Sequence, residues 1–273
     1  MRTVPALALA ALTFAAPLRA QVIEPDGDAG SAAAYFAITT TPLGALPPMV
    51  TPEMARSGAR GMGVRGQFGY IDEEGPSSIR VFGAGVDLPV GPGTLALTAG
   101  YLDFACDDGL AGDIGIDDLD CKGGFIGGTS FSLPLVAVPF GANTGSALTL
   151  GFDGSLGVGH GDVLEASAFG ESASLRATSV SAGLGLPVAL AARSGSMTIV
   201  PHLTPRFAWG RASLESETPD GKESDAESGT RFMLGGGFGL LFQGGLGVHL
   251  GFQKVFIEDG NTLIGVGVSY APK

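Results

Sequence analysis

Residues able to do chemistry are few in this 273-residue chain, and their spacing limits what they can do. There are three histidines, His160, His202 and His249, and two cysteines, Cys106 and Cys121. His160 stands two positions before Asp162 in GHGD, with serines nearby. In a hydrolase such a pair would set a general base beside the carboxylate that orients it. No nucleophile elbow or zinc motif accompanies the pair, and a His–Asp spacing of this kind arises readily by chance. The chain is therefore read as non-enzymatic, with a hydrolase built on His160 and Asp162 as an alternative. The run CDDGLAGDIGIDDLDC holds a cluster of aspartates between the two cysteines. Asp113, Asp117, Asp118 and Asp120 are candidate oxygen ligands for Ca²⁺ or Mg²⁺ in the loop between the cysteines. Their spacing is not that of an EF-hand, and a solvated acidic face is the commoner meaning of such a run. No other cofactor is implied.

The address of the chain decides the redox state of those cysteines. It begins MRTVPALALAALTFAAPLRAQ: one early charge at Arg2, an apolar run from Val4 to Ala16, then a short Leu-Arg-Ala stretch ending at the small residue Ala20. This is the layout of a secretory signal peptide, residues 1–20, with cleavage expected after Ala20. The apolar run is too short to span a membrane. Export leads to an oxidising compartment, so a Cys106–Cys121 disulfide is the default expectation. Residues 21–58 are rich in Ala, Pro, Thr and Gly and lack alternation; they read as an irregular periplasmic lead-in or partial plug, with 33–41 as one candidate extra strand.

The remainder, 59–273, must position everything else. It is hydrophobic on average, with mean hydropathy +0.33 for the chain, yet has no long apolar helix. Charged residues make up 15% of the chain where a soluble domain carries about a quarter. Its pattern has a period of two. In 147–158, Leu148, Leu150, Phe152, Leu156 and Val158 share one face, and Thr149, Gly151, Asp153, Ser155 and Gly157 share the other. Ten such segments are predicted: 60–72, 78–90, 94–105, 123–138, 146–159, 174–191, 196–214, 230–242, 245–257 and 261–271. Tight acid-free turns at 91–93, 141–145, 193–195 and 243–244 alternate with acidic connections at 72–77, 106–122, 160–173, 215–229 and 258–260. Of the 27 acidic residues, 20 lie in those five acidic connections, which distinguishes an outer from an inner end. A secreted soluble β domain would solvate its second face with Lys, Glu and Thr; here that face is mostly Gly, Ala and Ser. The fold expected is all-β, a closed antiparallel up-and-down transmembrane β-barrel of ten strands, with eight or twelve as alternatives.

Parity then sorts the charges. Arg80, Asp103, Arg176, Arg211 and Lys254 face lipid near the outer strand ends, beside Tyr101 and Trp209. At that level the four cations either bind lipid phosphates or snorkel to the interface. Facing inward are Arg65, Gln67, Asp87, Asp153, His202, Arg206, Arg231 and His249, read as a structural polar network in a narrow lumen. Removing residues 1–20 takes Arg2 and Arg19 and leaves 13 basic residues against 27 acidic ones, a net charge near −14. Nucleic-acid binding is excluded on that ground.

Signal peptide, alternation and loop asymmetry together resemble the small bacterial outer-membrane β-barrel superfamily, the opacity-protein and OmpA-like barrels in the broad sense. Gly265, Val268 and Tyr270 fit its C-terminal assembly signal, although the chain continues as Ala271-Pro272-Lys273 and has Leu263 where a polar residue is usual. The resemblance implies outer-membrane lipids, lipopolysaccharide included, and the barrel-assembly machinery as partners. Both termini are expected in the periplasm and the barrel is expected to be monomeric. The function expected is a non-catalytic structural or adhesive role with acidic loops displayed; a small diffusion pore or uptake channel is the alternative.

Overall fold

The computed structural model describes residues 62–72, 77–106, 118–140, 146–168, 171–218, 221–256 and 262–271. The expected signal peptide, the 21–58 lead-in and the candidate strand at 33–41 lie outside them. Every described element is a strand: β1 Gly63–Asp72, β2 Ser77–Val90, β3 Gly93–Cys106, β4 Asp118–Cys121, β5 Gly123–Phe140 and β6 Ser146–Ala168. They continue as β7 Glu171–Gly185, β8 Val188–Ser194, β9 Met197–Thr218, β10 Gly221–Phe242, β11 Leu246–Val255 and β12 Thr262–Tyr270.

Neighbouring strands pair antiparallel around the sheet, and β12 returns to β1, Val64 opposite Tyr270, which closes the ring. Twelve segments make a ten-stranded barrel. β7 and β8 are one wall strand interrupted at Leu186-Pro187, where the proline has no N–H to give. Pairing continues through that gap, with Gly151 N–H donating to the Pro187 carbonyl at 2.8 Å. β4 is a short addition that pairs only with the outer end of β6.

Alternation is what the closed ring requires. In β11 every second residue, Leu246 through Phe252, is exposed, and the residues between them are buried. Closure pairs each strand of the ring with a neighbour on both sides over most of its length, so apolar side chains can face lipid without any helical span. Turns at the tight end use residues that tolerate the geometry: Gly91 and Gly195 have φ of 60° and 59°, as two-residue hairpin turns demand.

The expected segments coincide with the wall, but two connections do not behave as loops. Residues 160–173 and 215–229 were expected to be acidic loops; instead β6 and β7 pair as far as Ala168 opposite Glu171, and β9 and β10 as far as Thr218 opposite Gly221. β6 has 23 residues, β9 and β10 have 22 each, and a membrane crossing needs roughly 9–11. About half of each therefore exceeds what a crossing needs and forms a tall hairpin. Hydrogen bonding between strands stabilises these extensions even where neither face is apolar, which is why alternation did not reveal them. Within 106–122, Asp118–Cys121 is likewise a strand.

Candidate functional site

The inner face carries the polar cluster, and its geometry follows a single rule: each polar pair lies over glycine. Asp153 on β6 and Arg206 on β9 both pair in register with Gly185 of β7, which stands between them. Their carboxylate and guanidinium form an ion pair across it, with side chains 5% and 3% exposed. A Cβ on Gly185 would strike the Asp153 carboxylate. Arg65 on β1 lies opposite Gly85 of β2 and reaches Asp87 at 3.5 Å. A Cβ on Gly85 would sit 2.9 Å from Arg65 Nε. His249 on β11 pairs with Gly239 and Gly267, and its Nε2 meets Ser269 Oγ at 2.8 Å. The Gly239 Cβ would stand 3.0 Å from its Nδ1. Long polar side chains can thus lie flat against the inner wall. Charges buried this way must be paired, because an unpaired one would cost several kcal/mol.

Of the expected network, the structure joins Arg65 to Asp87 and Asp153 to Arg206. His202 is buried on the same face, and Gln67 and Arg231 are half-buried. Arg231 Nη1 donates to its neighbour's carbonyl, Thr230, at 3.0 Å. Ser269 and Gln253 complete the set; Gln253 Nε2 donates to Met233 Sδ at 3.4 Å. Sequence reasoning missed their part, since any Ser or Gln on an inner face looks alike until register is known.

Towards the outer end the inner face becomes apolar. Ile79, Val81, Leu102, Ile126, Ala177 and Leu263 form one buried cluster, with Phe104 and Leu214 packed on it. These residues come from β2, β3, β5, β7, β9 and β12, and β2 lies directly across the ring from β9. Side chains from opposite walls therefore close the interior above the polar layer. No spacing rule predicted this cluster, because each strand adds only one or two apolar residues at its inner parity.

The outer face is apolar, with Phe125, at 74%, the most exposed large hydrophobic side chain among the described residues. Two of its four basic residues are neutralised. Arg80 meets Asp103 at 3.6 Å and Arg176 Nε donates to Asp162 at 2.8 Å. His160 Nδ1 instead contacts Thr178 Oγ1 at 2.9 Å, so the two halves of the hydrolase expectation engage different partners. Higher on the hairpins, Lys122 contacts Asp120 and also Glu165, at 3.2 Å, and Lys222 contacts Glu217 at 2.7 Å. Hydrogen bonds donated to those carboxylates hold both ammonium groups above the ordinary lysine range. Asp113 and Asp117 lie outside the described residues. Among the described residues no three His, Cys, Asp or Glu side chains are grouped to hold a metal ion, and none of the cysteines is free.

A closed ring with lipid-type residues outside and paired charges inside has one architectural meaning. The chain is a closed β-barrel of the membrane-spanning type. No protein-family model and no curated protein matches it. Its likenesses are among solved structures. The translocator domain of the autotransporter NalP from Neisseria meningitidis is 13% identical, with 88% of this chain and 96% of that one covered and a TM-score of 0.45. The transport unit of the autotransporter AIDA-I from Escherichia coli is 10% identical, covering 89% and 98%, with a TM-score of 0.42. Ail, the attachment invasion locus protein of Yersinia pestis, is 11% identical, covering 77% and 96%, with a TM-score of 0.32. These are bacterial outer-membrane barrels. The architecture stands on this chain's own ring and faces.

Proposed function

We propose that this protein is a non-conducting, non-catalytic barrel of the outer membrane whose acidic hairpins serve a structural or adhesive role at the cell surface. One observation carries the reading: most of the inward side chains are buried. Asp87 is 2% exposed, Arg206 3% and Leu102 2%. The wall of an open water channel would be as accessible as an outer surface, so a diffusion pore would leave these residues exposed.

Adhesion is favoured over a purely structural role by the outer edge of β10. Among the described residues, 222–230 pair with β9 on one side, whereas pairing to β11 starts only at Met233. Such an edge offers main-chain donors and acceptors to an extended partner, and Glu223 and Asp225 beside it favour a basic one. The reading also takes residues 1–20 as a cleaved signal peptide, both termini as periplasmic, the barrel as a monomer and Cys106–Cys121 as a disulfide. The outward cations Arg80, Arg176, Arg211 and Lys254 stand at the level of lipid phosphates on the hairpin side.

The test is conductance. Purified full-length protein reconstituted in a planar bilayer should give no steps above the lipid baseline. Steady ohmic steps would refute the filled interior and establish the pore instead.

A further inference from the structure

The lipid-facing wall is not uniformly filled. On β3, β5, β6, β7 and β9 it contains a recess of about 510 Å³, open to the outside. Register explains the hollow. Gly154 sits between Phe131 and Leu184, and Ala182 between Leu156 and Trp209. Small residues thus make a floor, while large side chains on either side make walls; Leu156 and Leu184 are 60% and 59% exposed. Every residue named here projects outward, so the recess opens onto bilayer and not onto the lumen.

A cation stands at its rim. Arg211 follows Trp209 on the same face of β9, two residues nearer the hairpin tip, a rise of about 6–7 Å. It is exposed and lies between Val180 and Ser228 in register. Arg80 and Arg176 are engaged by Asp103 and Asp162, but Arg211 has no ion pair among the described residues. An apolar trough with an uncommitted guanidinium one step above it matches an acyl chain joined to a phosphate, since Arg binds phosphate bidentately.

We propose that this recess is a specific lipid site: an acyl chain of lipid A lies over Gly154 and Ala182, and a lipid A phosphate binds Arg211. The choice of lipid A over a phospholipid rests on the membrane reading above, in which the hairpin side faces the outer leaflet. No other anchored phosphate is as abundant there.

Trp209 is the only tryptophan in the chain, so it reports on the recess without background. The full chain is placed in nanodiscs of phosphatidylcholine brominated on its acyl chains, which quench a lipid-facing indole. Unbrominated lipid A is then added. Relief of quenching should be half complete near one lipid A per barrel, far below its share of the bilayer. Arg211→Gln should raise the amount needed about tenfold, the worth of one charge-assisted hydrogen bond. Gly154→Leu should abolish selective relief by filling the recess. A Cβ there has only ordinary contacts, 3.7 Å to Leu184 and 3.8 Å to Phe152, so the barrel should tolerate the change. Relief that follows bulk mole fraction equally in native protein and Arg211→Gln would overturn the site. Equal relief by phosphatidylglycerol would overturn the choice of lipid A. Absence of quenching by any brominated lipid would instead mean that this face does not meet the bilayer, which refutes the membrane reading itself.

Discussion

Asp153→Asn separates a filled interior from a wet one by magnitude. The substitution keeps shape and removes charge, leaving Arg206 buried on the inner face, where its side chain is 3% exposed. In a dry interior, removing one partner of a buried pair costs about 3–5 kcal/mol, because the remaining charge has lost both water and its counter-charge. In a water-filled lumen the same pair would behave as a surface ion pair, worth about 0–1 kcal/mol. The two expectations do not overlap. Replacing both residues, Asp153→Leu with Arg206→Met, should recover most of the loss, since apolar substitution of a buried pair is often neutral or stabilising. The assay is urea unfolding of the full chain in micelles, followed by Trp209 fluorescence. Trp209 lies three residues from Arg206 on β9 and senses that wall. A loss below about 1 kcal/mol for Asp153→Asn, with no recovery in the double variant, would refute the dry interior. It would also remove the main support for a non-conducting barrel.

Gly185→Ala should destabilise the barrel by about 1–3 kcal/mol in the native background, because its Cβ displaces the Asp153 carboxylate. In an Asp153→Ala background the same change should be nearly neutral; equal costs in both, measured by the same urea titration, would mean that Gly185 serves only the backbone. For the disulfide, chain entropy over the fifteen residues from Cys106 to Cys121 suggests about 3 kcal/mol of local restraint. Reduction should speed proteolysis between those cysteines and leave the heat-modifiable gel shift of the barrel intact. Native mass spectrometry that finds two free thiols would end that expectation.

How much of this was legible in the sequence depends on what each feature needs. Parity needs only the residue order along one strand. It placed Arg80, Arg176, Arg211 and Lys254 outside, and Asp87, Asp153, His202 and His249 inside, as the structure has them. Strand ends need more. At Lys222–Asp225 both faces of β10 are exposed, so alternation fades although pairing continues. A period-two signal marks where a strand is half-buried, not where it is hydrogen-bonded.

Partnership needs register, and register was partly within reach. Counting outward from the tight turn at Gly91-Pro92, Arg80 and Asp103 are each ten residues from Val90 and Gly93, which puts them directly opposite. That count would have recognised an ion pair where parity alone suggested a free phosphate ligand. It fails for Asp153 and Arg206, because they are on non-adjacent strands and meet only over the bare backbone of Gly185. Here the informative residue is the one with no side chain. A glycine in a barrel strand reads from sequence as a place for curvature or close approach. Its meaning at Gly185 is set by what its neighbours on both sides need to reach, which couples three strands at once. The same coupling makes the interior intolerant of one-residue slips: sliding β7 by one position would put Leu184 or Leu186 under the ion pair and turn Gly185 to lipid. The polar layer therefore contributes to fixing the register of the wall as well as filling its centre.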